Sequence, residues 1–308
     1  MELITVLLSA YNEPISMIQK SVESVINQTY TNLEIILIND NPYNRELDET
    51  LQRYRDSDTR IQYRKHDENK GLVYSLNEGI RIASGEYVAR MDADDISFPD
   101  RLEKQLAFMQ TGGYDMVGTS VVKINEKGEE IGELKVPVDF ESIIKYQKYG
   151  SCVLHPTWLV KKAVYDALHG YRAIHACEDY DFILRAIAQG YKIGNLSEAK
   201  LYYRIRPSGI SMSANVKQKL TMYFLAKDAV QGRTVPLEEI NRYLESEVYK
   251  KDFSKLQRYE DAKYAMLKSR SCVEKIRCLL RMVGNRFFYK NIVEHCKMYE
   301  RQRCIGSI

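Results

Sequence analysis

Three carboxylates lie within four consecutive positions, at Asp92, Asp94 and Asp95, directly after a short apolar segment. Negative groups this close repel one another, so a positive partner is needed to stabilise them. A hard divalent cation that also contacts phosphate oxygens meets this need, because such ions prefer carboxylate ligands. An Asp-rich turn that caps the next helix is the alternative. The segment is therefore a candidate metal and phosphate site.

The elements that position these carboxylates alternate between strand and helix. Continuous apolar runs are typical of strands buried on both faces of a parallel sheet, and apolar residues at helical spacing indicate the helices between them. The predicted strands span residues 3–8, 33–38, 60–64 and 86–90, and the predicted helices span 15–27, 44–55 and 69–82. This alternation predicts a doubly wound α/β sheet.

Polar residues follow three of these strands, at the end where such sheets bind their ligands. They are Ser9, Tyr11 and Glu13, then Asp40, then Asp92 and Asp94. No GxGxxG follows the first strand and no GxxxxGK[ST] occurs in the sequence, so dinucleotide-binding and P-loop interpretations lose their main support. The polar residues gather where a nucleotide would bind.

The rest of the sequence is more mixed. Strands are predicted at residues 115–125, 132–137, 192–193 and 201–206, and helices at 99–110, 139–149, from 161 onward and at 178–190. A loop follows at 207–211. Residues 215–308 are predicted to form three to five helices, with breaks at 232–236, 250–252 and 284.

Composition narrows the class of protein. Of the 308 residues, 44% are apolar and 28% are charged, and the mean hydropathy is −0.41. No run approaches the roughly 18 apolar residues of a membrane span, and residues 1–10 lack the basic start of a signal peptide. We therefore expect a cytoplasmic protein. Its six cysteines include no CxxC pair and are expected to be free thiols.

Charge is unevenly distributed along the chain. Residues 215–308 hold 20 Lys and Arg against 11 Asp and Glu, whereas residues 1–214 hold 25 against 31. This difference predicts a boundary near residue 215. It also makes the basic C-terminal region a candidate for contact with an anionic surface.

Six short motifs share one feature, which is their order along the first two thirds of the chain. They are Ser9-Ala10-Tyr11-Asn12-Glu13, Asn39-Asp40, Asn69-Lys70-Gly71-Leu72, Asp92-Ala93-Asp94-Asp95, His155-Pro156-Thr157 and Glu178-Asp179-Tyr180. Together they resemble the family 2 inverting glycosyltransferases of the GT-A fold, particularly bacterial enzymes that build capsule, exopolysaccharide and O-antigen repeats. The resemblance implies a Rossmann-like, mostly parallel central sheet flanked by helices. It also implies a catalytic domain at 1–214, with a nucleotide-sugar half at 1–98 and an acceptor half at 99–214, before a basic helical region at 215–308.

The resemblance implies a role for each residue at the strand ends. Those implied in nucleotide binding are Ser9, Tyr11, Glu13, Asp40, Lys70, Asp92 and Arg206. Tyr11 would stack on the base, and Asp40 would accept the uracil N–H. Asp92 and Asp94 match the family's DxD motif and would bind Mn²⁺ or Mg²⁺ on the diphosphate, where the ion stabilises the leaving group. Local roles remain as alternatives: a helix-dipole carboxylate for Glu13, a turn residue for Asp40 and a solvated side chain for Lys70.

The family's acceptor side maps onto the last two motifs. Asp179 is implied as the general base that takes the proton of the acceptor hydroxyl in a single displacement. Glu178, Trp158 and His155 are implied as acceptor-binding residues. The alternatives are a helix N-terminal carboxylate for Asp179, a core ring for Trp158 and a structural histidine for His155.

One position departs from the family pattern. Many relatives have a histidine that reaches the metal or diphosphate after the last strand, whereas this sequence has Arg206 in Tyr203-Arg204-Ile205-Arg206-Pro207. Arginine does not ligate a metal at neutral pH but binds phosphate in a bidentate manner. The departure leaves the strictness of metal dependence open.

The C-terminal region has two interpretations. Residues 263–303 interleave basic and apolar side chains, a pattern typical of a helix that lies on an anionic membrane. Such contact would place a cytoplasmic enzyme at the inner face of the cell membrane, beside a lipid-diphosphate-linked saccharide acceptor. The alternative is packing on the catalytic domain or on a second subunit, as in a homodimer. No nucleic-acid-binding fold is indicated.

Three functions remain to be distinguished. The resemblance favours a metal-assisted inverting transferase that uses a UDP-sugar. A sugar nucleotidyltransferase would need a Gly-rich basic loop after the first strand, which Ser9–Glu13 is not. A non-catalytic sugar-nucleotide-binding scaffold would not need Asp94 and Asp179. The donor sugar, the acceptor and the linkage are not predicted.

Overall fold

The computed structural model describes residues 1–206, 215–229 and 232–305. Contacts divide the chain into two compact units. The first comprises Met1–Lys145, Ser151–Ile174 and Glu178–Pro207, and the second comprises Tyr146–Gly150, His175–Cys177 and Ser208–Ile308. The predicted loop at 207–211 lies outside the described residues, as do the residues directly before the predicted boundary near residue 215.

Nine strands in the described part of the chain form one sheet. They are β1 (Ile4–Ala10), β2 (Leu33–Asn39), β3 (Ile61–Lys65), β4 (Tyr87–Asp92), β5 (Ile96–Ser97), β6 (Met116–Ile124), β7 (Glu130–Leu134), β8 (Leu159–Lys161) and β9 (Ile193–Arg204). Their order is β3-β2-β1-β4-β8-β6-β9-β5, with β7 paired to β6. Strands β1 to β4 pair in parallel, as do β6 and β9, whereas β8 runs antiparallel to both of its neighbours.

Seven helices lie in or begin in the first unit. They are α1 (Ile15–Ile26), α2 (Arg45–Ser57), α3 (Leu72–Ile82), α4 (Arg101–Gly112), α5 (Phe140–Gln147), α6 (Lys162–Ala167) and α7 (Glu178–Ala188). The five described helices of the second unit are α8 (Asn215–Ala229), α9 (Leu237–Glu245), α10 (Glu247–Lys268), α11 (Cys272–Val283) and α12 (Arg286–Ile305). The structure confirms the predicted α/β fold with a helical C-terminal region.

Each unit has its own apolar core. In the first, β1, β2 and β4 are buried on both faces, because helices cover the sheet on either side, and their apolar residues pack with those of α1 and α4. In the second, Leu220, Leu256 and Met282 join α8, α10 and α11. The continuous apolar runs of the sequence thus correspond to the buried central strands.

Two boundary predictions are wrong. The strands predicted at 192–193 and 201–206 are one strand, β9, because residues 194–196 and Ala199 between them pair with β6, with two register shifts. The helix break predicted at 250–252 is absent, since α10 runs through it. The break lies instead at Ser246, whose hydroxyl accepts the Tyr249 N–H and caps α10.

No helix among the described residues is both long enough and apolar enough to cross a membrane.

Candidate active site

The strand register brings the predicted nucleotide residues to one edge of the sheet. Ala10 pairs with Asn39 and Ser9 pairs with Asp92, so β1, β2 and β4 end side by side. Tyr11 and Glu13 therefore follow β1 at the edge where Asp40 follows β2 and Asp94 follows β4. The carboxyl edge of a parallel sheet is where such folds bind ligands.

The carboxylates after β4 form a compact cluster. Oxygen atoms of Asp92, Asp94 and Asp95 lie within 4.8 Å of one another. Burial raises the pKa of Asp94 to about 6, and the charge of Asp92 adds to the effect, whereas Arg206 opposes it. Burial also raises the pKa of Asp95 well above its usual range, with the charges of Asp92 and Asp94 acting in the same direction. The cluster thus lacks part of the positive charge that three ionised carboxylates require.

Arginines from the end of β9 and beyond it supply some of that charge. Arg206 Nε lies 2.6 Å from Asp94 Oδ2, and Arg206 Nη2 lies 3.7 Å from Glu13 Oε1. The backbone N–H of Arg204 donates to Asp95 Oδ1 at 2.8 Å, and its side chain donates to the Asp94 carbonyl oxygen at 2.7 Å. Arg206 therefore pairs directly with one carboxylate of the cluster, that of Asp94.

The geometry of the cluster fits a hard cation in two respects. One oxygen of each carboxylate lies close enough to the other two for all three to bind a single ion. In addition, the buried Asp95 Oδ2 has no hydrogen-bond partner among the described residues. Asp92 and Asp94 are each paired with a guanidinium, so a metal ion at this place would share or replace those contacts. Asp92, Asp94 and Asp95 are the residues that could hold it.

Arg90 is a buried cation next to this cluster, and sequence analysis did not identify it. Its side chain is almost fully buried, forms an ion pair with Asp92, and leaves Nε and Nη1 without a hydrogen-bond partner among the described residues. Its positive charge lowers the pKa of Glu178 and Asp179 and so opposes the effect of burial there. Arg90 therefore lies within electrostatic reach of both acidic groups. The only sequence signal was a charged residue inside an otherwise apolar strand.

Glu178 and Asp179 occupy the first turn of α7, as predicted. Burial raises the pKa of Glu178 to about 7, and the charge of Asp179 adds to this effect. Burial likewise raises the pKa of Asp179, while the Tyr180 N–H, which donates to Asp179 Oδ1 at 2.6 Å, opposes the rise. Asp92 adds to the rise at both groups, which places the acidic pair within electrostatic reach of the carboxylate cluster.

Replacement of Glu178 by glutamine is expected to stabilise the protein at pH 8 by about 1–3 kcal/mol. The native pKa of Glu178 lies above its unfolded value, so the native state favours the protonated form and loses stability as the pH rises towards 7. The gain should therefore shrink towards pH 4.5. Urea unfolding at pH 8 and pH 5 measures it, with exposed Glu141→Gln as the control. An equal change in the free energy of unfolding at both pH values would contradict a raised pKa of Glu178 in the native state.

Asp40 forms hydrogen bonds within the protein that the sequence did not reveal. It accepts the N–H groups of Lys70 and Gly71 at 2.8 and 2.9 Å, and its Oδ1 lies 2.7 Å from His66 Nδ1. His66 Nε2 lies 2.7 Å from Glu78 Oε2. Because Asp40 is only 3% exposed, its first role is to fix the N-terminus of α3 against β2.

The remaining nucleotide candidates differ in accessibility. The Tyr11 ring is exposed, and its backbone N–H donates to Glu13 Oε2 at 2.8 Å. Lys70 is partly buried, and its Nζ lies 2.9 Å from Asp67 Oδ1. Ser9 lies at the end of β1, beside Asp92 of β4. A ligand in solvent can therefore reach the ring of Tyr11.

Trp158 and His155 lie in a buried aromatic cluster with Tyr171 and Phe182. The centroids of Trp158 and His155 are 4.5 Å apart, and Trp158 Nε1 donates to the Val153 carbonyl at 3.2 Å. Trp158 is 0% exposed, so it presents no face to a sugar and the core alternative describes it. His155 Nε2 lies 2.8 Å from the Tyr171 hydroxyl, and burial holds the pKa of His155 well below its usual range. The cluster lies next to β4, because the backbone N–H of Arg90 donates to the Trp158 carbonyl oxygen at 2.9 Å.

Comparisons with family models and with curated proteins all match glycosyltransferases. The family model described as glycosyl transferase family 2 matches residues 5–167, and that of glycosyl transferase family group 2 matches residues 87–251. An uncharacterized glycosyltransferase of Methanocaldococcus jannaschii is 36% identical over 73% of this chain and 78% of its own length. The O-antigen biosynthesis glycosyltransferase WbnJ of Escherichia coli is 36% identical over 70% of this chain and 84% of its own length.

Solved structures of similar fold include S. aureus TarS. The structure of TarS 1-349 in complex with UDP-GlcNAc aligns with a TM-score of 0.60 at 19% identity, over 79% of this chain and 73% of that one. The structure of TarS 1-349 in complex with UDP aligns with a TM-score of 0.60 at 16% identity, over 94% and 92%. At these identities the likeness establishes the fold.

Proposed function

The chain belongs to glycosyl transferase family 2 and is a glycosyltransferase, and we propose that it transfers a sugar from a UDP-sugar with inversion at the anomeric carbon. The acceptor in this proposal is a saccharide, free or carried on a lipid diphosphate, and the product is part of a cell-surface polysaccharide. The relation to WbnJ, named for O-antigen biosynthesis, supports this class of product.

The observation that carries the proposal is the position of Asp179. It is an acidic group with a raised pKa at the start of a helix, within electrostatic reach of Arg90 and Asp92. A raised pKa suits a general base, because it increases the affinity of the carboxylate for the proton that it must remove. An inverting displacement needs one such base opposite the leaving group, and a retaining double displacement needs a nucleophile as well.

The donor side of the proposal rests on the strand-end cluster. In this proposal Tyr11, whose ring is exposed, stacks on the base, and the clustered Asp92 and Asp94 bind Mn²⁺ or Mg²⁺ with the diphosphate. When bound, the cation supplies Lewis-acid stabilisation of the departing diphosphate. In the proposal, Arg206, which is paired with Asp94, supplies a further positive charge beside the departing diphosphate. The complexes of TarS with UDP and UDP-GlcNAc support a uridine nucleotide as the donor.

The reaction then proceeds in one displacement. Asp179 takes the proton of the acceptor hydroxyl as that oxygen forms a bond to the anomeric carbon. The bond between this carbon and the phosphate oxygen breaks, and its electron pair leaves with the nucleoside diphosphate. Arg206 stabilises the negative charge that develops there. Arg90 pairs with Asp92, and its positive charge opposes the rise in the pKa of Asp179 that burial causes.

A thermal-shift panel with UDP-, GDP-, dTDP- and CMP-sugars, with and without Mn²⁺, tests donor binding. A ligand at about 100 times its Kd stabilises the native state by about 2.7 kcal/mol. We expect a shift with one UDP-sugar that Mn²⁺ enlarges and that Asp94→Ala abolishes, whereas Asp166→Ala, on the exposed side of α6, retains it. If no nucleotide sugar shifts the unfolding temperature, the proposed donor is incorrect.

A further inference from the structure

The helix α11 has apolar residues on two faces, and only one of them is covered. Cys278 and Met282 are buried in the second unit. Val273, Ile276, Leu280 and Val283 recur at i, i+3, i+7 and i+10, so they form one stripe along the helix. Ile276 is 59% exposed and Leu280 is 70% exposed. The stripe is thus apolar surface that no described residue covers.

The next helix, α12, repeats this arrangement. Phe287 is buried in the core of the second unit, whereas Tyr289, Ile292 and Val293 are exposed. Their spacing places them on one side of the helix. We refer to the stripes Val273–Val283 and Tyr289–Val293 together as the apolar faces. Single exposed apolar residues are common on protein surfaces, whereas exposed apolar residues that are grouped together mark an interaction surface.

Basic residues accompany the apolar faces. Those between residues 268 and 297 are Lys268, Arg270, Lys275, Arg277, Arg281, Arg286, Lys290 and Lys297, against the acidic residues Glu274 and Glu294. Both acidic residues have partners, since Glu274 pairs with Arg277 and Glu294 accepts the Tyr223 hydroxyl proton at 3.0 Å. The surface around the apolar faces is therefore strongly positive.

A cavity of about 340 Å³ in the same unit adds a place for an anionic group. Its lining includes Lys227, Arg286 and Lys290, and the aromatic rings of Tyr223, Tyr243 and Phe287. Asp252 also lines it but is paired with Arg286. On α12, Arg286 and Lys290 stand at i and i+4, and exposed Val293 follows at i+7, so the cavity opens beside an apolar face.

We propose that the apolar faces of α11 and α12 dock on an anionic phospholipid bilayer. Their apolar side chains would enter the region between headgroups and acyl chains, while the basic residues would contact lipid phosphates. The cavity would take one phosphate headgroup.

A second copy of the chain is a poorer occupant of this surface. A symmetric contact brings the same patch of both copies together. The basic residues of α11 and α12 would then oppose those of the partner, and like charges across an interface oppose association. A negatively charged bilayer has the complementary charge. The proposal concerns a surface distant in sequence from the catalytic motifs and does not depend on the identity of the donor.

Co-sedimentation of the full chain with vesicles tests the proposal. Vesicles of phosphatidylcholine alone are compared with vesicles that contain about one quarter phosphatidylglycerol. We expect binding to the anionic vesicles only, reduced at least tenfold by 0.5 M salt, because salt screens charges at the surface. Equal binding to both vesicle types, or none to either, would overturn the proposal.

Matched variants locate the contact. Ile276→Ser with Leu280→Ser is expected to reduce vesicle binding at least tenfold, because both residues lie on an apolar face. Ile131→Ser with Ile144→Ser alters two similarly exposed isoleucines in the first unit and should leave binding unchanged. Lys275→Gln with Arg281→Gln should reduce binding while leaving the apolar faces intact. Wild-type binding by both the apolar and the basic variant would contradict the proposal, as would a dimer in solution that the apolar variant converts to a monomer.

Discussion

Replacement of Asp179 by asparagine is expected to lower the rate of sugar transfer by about 10²–10⁴-fold, the range usual for a general base. Asparagine keeps the size of the side chain and can still accept the Tyr180 N–H, but it cannot take a proton from the acceptor. Donor binding should remain, since Asp179 lies on α7, whereas Tyr11 and Asp40 follow β1 and β2 and Asp92 ends β4.

The measurement combines initial rates with donor binding for the same preparation. Asp166→Asn, an exposed aspartate of α6 paired with Lys162, serves as the control and should retain full activity. Full transfer by Asp179→Asn would contradict the proposed base. A wild-type protein that binds a UDP-sugar but transfers it to no acceptor would instead favour the scaffold interpretation.

The same assignment predicts the pH dependence of the wild-type enzyme. A general base must be ionised, so the rate should fall as the pH drops through its pKa. Burial raises the pKa of Asp179 above the usual aspartate value, which moves this acid limb to higher pH. Glu178, with a pKa of about 7, interacts with Asp179, so the limb reports the pair rather than one residue.

Replacement of Arg90 by methionine is expected to cost about 3–5 kcal/mol of stability and to move the acid limb of the rate profile to higher pH. Methionine fills much of the same volume but leaves Asp92 without its guanidinium partner. It also removes the charge that lowers the pKa of Asp179 and Glu178. Activity at pH 7 should fall at least tenfold and recover in part at pH 9.

Arg101→Met provides a matched control, because Arg101 is also a fully buried arginine. Its Nη2 donates to the Arg90 carbonyl at 2.9 Å, and its Nε donates to Gln105 Oε1 at 3.0 Å. Loss of Arg101 should also destabilise the protein but should leave the acid limb in place. Denaturant unfolding and pH–rate profiles of both variants separate the two effects. Equal profiles for the two variants would show that Arg90 has only a structural role.

The sequence by itself determined the order of the elements and the positions of the acidic motifs. The apolar runs of β1 and β2 and the helical spacing of α1 are local patterns, and they persist because each buried face must be apolar. The alternation of strands and helices predicts a parallel sheet, and a parallel sheet places the ends of β1, β2 and β4 at one edge. That Asp179 begins a helix also followed from local sequence.

Local sequence patterns did not predict features that depend on contacts with residues elsewhere in the chain. The polar centre of β9 looks like a loop until its pairing with β6 is known, and the charged start of α10 looks like a break until the Ser246 cap is known. The 0% exposure of Trp158 depends on Tyr171 and Phe182, which lie 13 and 24 positions along the chain.

The tertiary structure alone decided which charges meet. Asp94 and Arg206 are separated by 112 positions, and Asp40 accepts backbone N–H groups from 30 and 31 positions away. Arg90 looks like an ordinary strand residue until the fold buries it in an ion pair with Asp92, within electrostatic reach of Glu178 and Asp179. Burial makes such contacts decisive, because a charge removed from water must find its partner within the protein, and the partner's distance along the chain is not encoded in any local pattern.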